Sequence, residues 1–167
     1  MITPIEVDVR DDMHIHSTFS DGRHTPAQNV LTAKARGLRR ICCVDHVRRD
    51  SRWIPEFLRT VRALDRDFEL QIYSGLEARI LNEDGKLDLP AGWTKADLIF
   101  AADHRVPFGQ EALSPRAANR LVEAGEVTRD ILLNAVIDST RRAMERYPGV
   151  VLAHLFSVLP KIHLDEN

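Results

Sequence analysis

Short apolar runs alternate with longer stretches of helical periodicity along almost the whole chain, and nothing else in the sequence constrains the fold as strongly. Residues 13–16, 41–44, 70–73, 98–102 and 150–153 are too short for helices and read as strands. Between the first two, Thr25 is placed to cap a helix, with Pro26 at its first position and Gln28 completing a capping box. Ala27, Val30, Leu31 and Leu38 would line its buried face, and Gly37 would end it. Residues 55–64 predict a second helix carrying Phe57, Leu58, Val61 and Leu64. Residues 127–147 predict a long one with Leu132, Val136, Ala143 and Tyr147 on one stripe. After the third strand, residues 75–81 continue extended into Asn82-Glu83-Asp84-Gly85, whose Asp-Gly pair predicts a turn back into residues 86–89. Strands alternating with helices make an α/β protein with a mainly parallel sheet or barrel. At 167 residues, with no repeat and no Gly/Ser linker, the expectation is one domain over residues 1–167.

Charge excludes several functions. With 23 basic against 25 acidic residues the net charge is −2, so no overall field draws in nucleic acid or an anionic membrane. No apolar run reaches membrane-spanning length, and Glu6, Asp8, Asp11 and Asp12 crowd the N-terminal segment, which argues against a secretory leader and for a cytoplasmic protein. Cys42 and Cys43 are adjacent in an apolar run, where they read as small strand residues of a reducing compartment rather than a disulfide framework.

The informative residues are the histidines. Five of the seven, His14, His16, His46, His104 and His154, fall at strand ends, with acidic residues interleaved. Asp21 follows the first strand, Asp45 and Asp103 precede His46 and His104, and Glu77 lies just beyond the third strand. In a parallel βα architecture the carboxyl ends of the strands share one rim, so distant residues are expected to converge there. The two-residue spacing of His14 and His16 puts both imidazoles on one strand face. Imidazoles mixed with carboxylates suit Zn, Mn or Fe. His24 and His163 fall outside the pattern and read as solvated.

Asp11-Asp12-Met13-His14-Ile15-His16-Ser17-Thr18-Phe19-Ser20-Asp21-Gly22 closely resembles the first motif of the polymerase and histidinol phosphatase (PHP) superfamily, and Val44-Asp45-His46 resembles its second. Gly75-Leu76-Glu77 with the segment from Asp84 to Pro90 is similar to the third motif in the branch of histidinol-phosphatase-like enzymes and family X polymerase domains. His104 and His154 match the fourth and fifth. The resemblance implies a distorted (β/α)7-type barrel with two or three divalent metals at its rim and phosphoester hydrolysis as the activity. It implies that His14, His16 and Glu77 hold one metal, that Glu77, His104 and His154 hold a second, and that Asp21 and His46 hold a third. Two features depart from the family pattern. The later Asp-x-His motif that closes the barrel is absent up to Asn167, which implies a barrel incomplete at its C-terminus and two metal sites short of a ligand. His163 and Asp165 occur in the reverse order and read as a loosely packed tail; a natural fragment, a truncated chain and a degenerate paralogue all fit. In Ala153-His154-Leu155-Phe156, residues that contact phosphate in relatives are replaced by apolar ones.

Phosphoester hydrolysis is slow because an anionic phosphorus centre repels its nucleophile, and paired metals answer this by supplying hydroxide near neutral pH and neutralising the attacking and leaving oxygens. The expected function is hydrolysis of a small phosphomonoester by a metal-bound hydroxide. Asp45, Asp103 and Arg105 complete the catalytic set: the carboxylates would orient imidazoles or buttress the rim, with a surface salt bridge as the alternative, and Arg105 would meet the phosphate together with Arg23 or Arg48. Two other functions fit the same residues. One is a nuclease acting on nucleic acid ends, favoured by Arg36, Arg39, Arg40, Arg48, Arg49 and Arg52 but lacking interleaved aromatics. The other is a catalytically impaired scaffold used for interaction, including with a second copy of itself, because five strands leave a seven-stranded barrel open.

Overall fold

The computed structural model describes residues 9–67, 70–90 and 93–164. Its strands are β1 (Asp11–Ile15), β2 (Arg40–Val47), β3 (Gln71–Arg79), β4 (Leu98–Ala102), β5 (Val106–Phe108), β6 (Glu111–Leu113) and β7 (Val151–Ala153). The helices are α1 (Pro26–Ala35), α2 (Ile54–Asp67), α3 (Pro115–Glu123) and α4 (Arg129–Arg146). Five strands form one sheet in the order β1-β2-β3-β4-β7, with β1 and β2 parallel and β4 and β7 parallel. The order follows the chain without reversing. That is the winding of a (β/α) barrel, since a doubly wound sheet reverses direction at a switch point. The fold is therefore α/β and consistent with an incomplete barrel. No helix among the described residues is long and apolar enough to cross a membrane.

The chain packs as two compact units, the boundary falling inside β3 after Leu76. The first holds β1, α1, most of β2, α2 and the first part of β3. Its core is the apolar run of β2, Ile41 to Val44, with Val30 and Ala33 from α1 and Phe57, Leu58 and Val61 from α2, all buried. The Thr25 hydroxyl accepts from Gln28 N and Pro26 opens the helix, which is the capping box expected from the sequence. Leu31, expected on the buried face of α1, is 55% exposed; next to Val30 it is rotated about 100° around the axis, beyond the narrow stripe that Val30 and Ala33 share.

The second unit holds the end of β3, β4 to β7, α3 and α4. Val106, Ala118, Val127, Leu132, Val136, Val158 and Ile162 form its apolar cluster. The Asp-Gly turn forms as expected: Leu81 N donates to Lys86 O, Ile80 bridges Leu87 antiparallel, and Gly85 takes φ +69°. A Cβ on Gly85 would lie 2.3 Å from Ala143 N in α4, so the turn sits directly on the helix backbone. Three details differ from the sequence expectation. Glu77 lies within β3, which runs unbroken through Gly75 because that stretch is buried on both faces and keeps its ladder. The β5–β6 hairpin and α3 occupy what reads as loop; Ser114 caps α3 from the position before Pro115, as Thr25 does before Pro26. His163 is exposed, with φ +57°, after a short 3-10 turn, and Asp165 lies outside the described residues.

Cys42 and Cys43 are free and fully buried, and burial pushes both thiols upward, Cys43 to about 12 with the Asp45 carboxylate adding to it. A raised thiol pKa stabilises the fold fully below the unfolded value near 9.0 and loses that contribution as pH rises from there toward 12. A thiol-directed reagent at pH 8 is therefore expected to leave the native protein untouched and to titrate both cysteines only in denaturant. The midpoint of urea unfolding should fall progressively above pH 9.

Candidate metal centre

In the first unit the candidate ligand groups come from β1, the loop after it and the end of β2. β1 shifts register between Asp12 and Ile15, and His14 and His16 nonetheless converge, with their Nε2 atoms 3.1 Å apart. The other nitrogen of His16 faces a second group: His16 Nδ1 is 3.2 Å from Asp21 Oδ1, and His46 Nε2 is 3.3 Å from Asp21 Oδ2. One ligand atom from each of His16, Asp21 and His46 lies within 4.8 Å of the other two, a group able to hold an ion.

The loop carrying Asp21 is fixed from three sides. Asp45 is fully buried; it accepts from Ser17 N at 3.0 Å, Ser17 Oγ at 2.6 Å and Ser20 Oγ at 2.5 Å, while Ser20 Oγ accepts from His46 N at 3.2 Å. Phe19 packs on Trp53 and Phe57 with ring centroids 5.6 and 5.4 Å away. Asn29 of α1 donates to His16 O at 2.9 Å. Gly22 closes the loop onto the strand, where any Cβ would come within 2.4 Å of the His16 carbonyl. The glycine of the first motif is thus required by close backbone approach.

In the second unit Glu77 is almost completely buried, and its Oε1 lies 3.1 Å from His104 Nε2 and 2.9 Å from His154 Nε2. The two imidazole nitrogens are 3.2 Å apart. A tetrahedral ion with bonds near 2.1 Å sets its ligand atoms about 3.4 Å apart, and an octahedral ion about 2.9 Å. The observed triangle falls between these values, so the donor set fits one small divalent ion without rearrangement. His154 adopts φ +29°, an uncommon backbone state for a residue with a side chain, directly after β7. Asp103 holds that turn: its carboxylate accepts from Ser157 Oγ at 3.1 Å and Val158 N at 3.2 Å, and lies 3.6 Å from His154 Nδ1.

Among the described residues neither Asp45 nor Asp103 forms a surface salt bridge with Lys or Arg; both are buried, and both hydrogen-bond to loops that carry candidate ligand groups. Asp103 lies 3.6 Å from the histidine that follows the neighbouring strand. Arg105 is exposed and lines a cavity of about 370 Å³ in the second unit together with Arg49, Arg79 and Lys86. Arg23 and Arg48 are exposed on their loops. In the sequence Arg49 stands out only in the arginine run of the nuclease reading, and Arg79 and Lys86 are not assigned a role there; the available signal is Arg79, two residues past Glu77 on the same strand face.

The profile of the PHP domain matches residues 12–150. Among curated proteins, a probable phosphatase of Vibrio parahaemolyticus is 29% identical over 136 residues, covering 72% of this chain and 51% of that protein. A probable phosphatase of a Thermoanaerobacter species is 33% identical over 105 residues, covering 58% of this chain and 41% of that protein. Another, from Aliivibrio fischeri, is 28% identical over 131 residues, with 70% and 49% covered. The chain spans about half the length of the curated relatives it matches.

Proposed function

Because the chain belongs to the PHP domain family, we propose that it is a metal-dependent phosphoesterase that hydrolyses a small phosphomonoester. The observation that carries this reading is the Glu77–His104–His154 triangle, with ligand atoms 2.9 to 3.2 Å apart and a buried carboxylate at its apex. These three residues would hold one ion, and His16, Asp21 and His46 another. The convergent His14 and His16 nitrogens would face a third. Ions bound there supply positive charge against the phosphoryl oxygens and make water nucleophilic near neutral pH. Asp45 and Asp103 are positioning residues, keeping the Asp21 loop and the His154 turn in place through the hydrogen bonds they accept. Arg105 follows His104 and lines the neighbouring cationic cavity, so its guanidinium is offered to an anionic part of the substrate away from the reacting phosphoryl group. The names of the relatives, all probable phosphatases, agree with this chemistry.

The test is elemental analysis of the purified protein coupled to a phosphatase assay on phenyl phosphate and a panel of small phosphorylated metabolites. The expected result is about two or three divalent ions per chain, with turnover abolished by a chelator and restored by Zn, Mn or Fe. His14→Ala should lower activity by about a hundredfold or more. Metal-replete protein that hydrolyses none of the panel would overturn the proposal.

A further inference from the structure

Resting on the phosphoesterase reading, we propose that the second unit carries an oxyanion pocket beside Glu77 and His104. This pocket would hold a second anionic group of the substrate, so that the preferred substrate is a compact phosphoester bearing a further phosphate or carboxylate. The pocket is the cavity of about 370 Å³ lined by Arg49, Arg79, Lys86 and Arg105, with Gln110 and Glu111 at its wall. Its volume lies at the small end of ligand sites, which suits a metabolite and not a polymer. It is built by Arg49 just after β2, the end of β3, the turn through Gly85, Arg105 between β4 and β5, and the β5–β6 hairpin. The turn and the hairpin are joined where Glu83 N donates to Gly109 O at 3.1 Å and Gly109 N donates to Glu83 Oε1 at 2.9 Å.

Two of the four cations are held in place by a single buried carboxylate. Asp88 Oδ1 accepts from Arg49 N at 3.1 Å and Arg49 Nε at 3.3 Å, and Asp88 Oδ2 accepts from Arg79 Nε at 2.9 Å with Arg79 Nη2 at 2.8 Å. Each guanidinium has five N–H donors, so these contacts leave others to face the cavity. Four cations around one small space repel each other, and Asp88 pairs with two of them, Arg49 and Arg79. A bound oxyanion would offset that repulsion and accept the outward donors, which is the chemistry in which arginine forks are strongest.

The position argues for a substrate group and not an unrelated ligand. Arg79 follows Glu77 by two residues on β3, so both side chains leave the same strand face about 7 Å apart along it. Arg105 is the residue after His104. A phosphoryl group at the Glu77–His104–His154 triangle would therefore leave the remainder of a short molecule pointing at the pocket.

The test separates the pocket from the hydrolase reading. Protein freed of metal by chelation and dialysis is titrated calorimetrically with inorganic phosphate and, separately, with succinate, which distinguishes the two sources of oxyanion. Saturable binding of at least one with Kd below about 1 mM is expected, weakened about tenfold or more in the Lys86→Met/Arg105→Met double variant. That variant leaves the Arg49 and Arg79 contacts to buried Asp88 intact, and an unchanged circular dichroism spectrum and melting temperature would show that it folds. In parallel, the metal-loaded protein is assayed on phenyl phosphate and on 3-phosphoglycerate and glucose 1,6-bisphosphate. Here kcat/KM for a doubly anionic compound should exceed that for phenyl phosphate by about tenfold, and the ratio should collapse in the double variant. Turnover of phenyl phosphate with no saturable anion binding, or with binding unchanged in the double variant, overturns the pocket and leaves the hydrolase standing. Variant-sensitive anion binding by a metal-loaded protein that hydrolyses nothing keeps the oxyanion site and overturns the hydrolase.

Discussion

Glu77→Gln is expected to reduce phosphoesterase turnover by about a thousandfold and divalent-ion affinity by more than about a hundredfold, since loss of an outer-shell partner alone costs 10–100-fold. Oε1 of Glu77 faces two imidazole nitrogens at once, 3.1 and 2.9 Å away. An amide there keeps the shape but loses the charge, and its NH2 group can only donate. The same substitution removes a carboxylate whose side chain is fully buried, so the metal-free protein should lose no thermal stability and could gain some. Elemental analysis, steady-state kinetics and a melting curve of the metal-free variant check the three statements together. Unchanged metal content with a lowered melting temperature would assign Glu77 a packing role instead.

Gly85→Ala should be the most damaging single-methyl addition in the second unit, at about 2–5 kcal/mol. The left-handed backbone costs about 1–2 kcal/mol for a residue with a Cβ, and forced overpacking against α4 adds about 1–3. The atoms in the way, Ala143 N at 2.3 Å and the Arg142 carbonyl carbon at 2.6 Å, belong to helix backbone and cannot swing aside. For a chain of this size such a loss lowers the melting temperature by about 5–15 °C. Gly37→Ala supplies the control. It has nearly the same φ, +70°, with nothing within 4 Å, so it should show the conformational cost alone. Equal shifts for the two variants would mean that the turn does not bear on the helix as described.

Much of this was readable in the sequence because it depends on local rules. The capping box at Thr25 and Gln28, the Asp-Gly turn and the period-2 convergence of His14 and His16 each depend on residues within four positions of one another. The alternation of strand and helix is enough to give an α/β fold with a mainly parallel sheet or barrel, while the sequential strand order is read from the structure. What escaped notice depends on tertiary partners. α3 and the β5–β6 hairpin are short segments whose apolar residues, Val106 and Ala118, are organised by α4. That Asp103 comes to lie beside His154 follows from the pairing of β4 with β7, which no spacing encodes. The cationic cavity gathers Arg49, Arg79 and Lys86 through Asp88 and a turn, across intervals that mean nothing until the chain is folded.

The left-handed backbone at His154, held by the Asp103 contacts to Ser157 and Val158, has a thermodynamic consequence. The chain has already met the conformational cost of aiming that imidazole at Glu77 by the time folding is complete. A divalent cation held by Glu77 and His154 would then meet a turn that is already ordered, so its capture would cost little loop entropy.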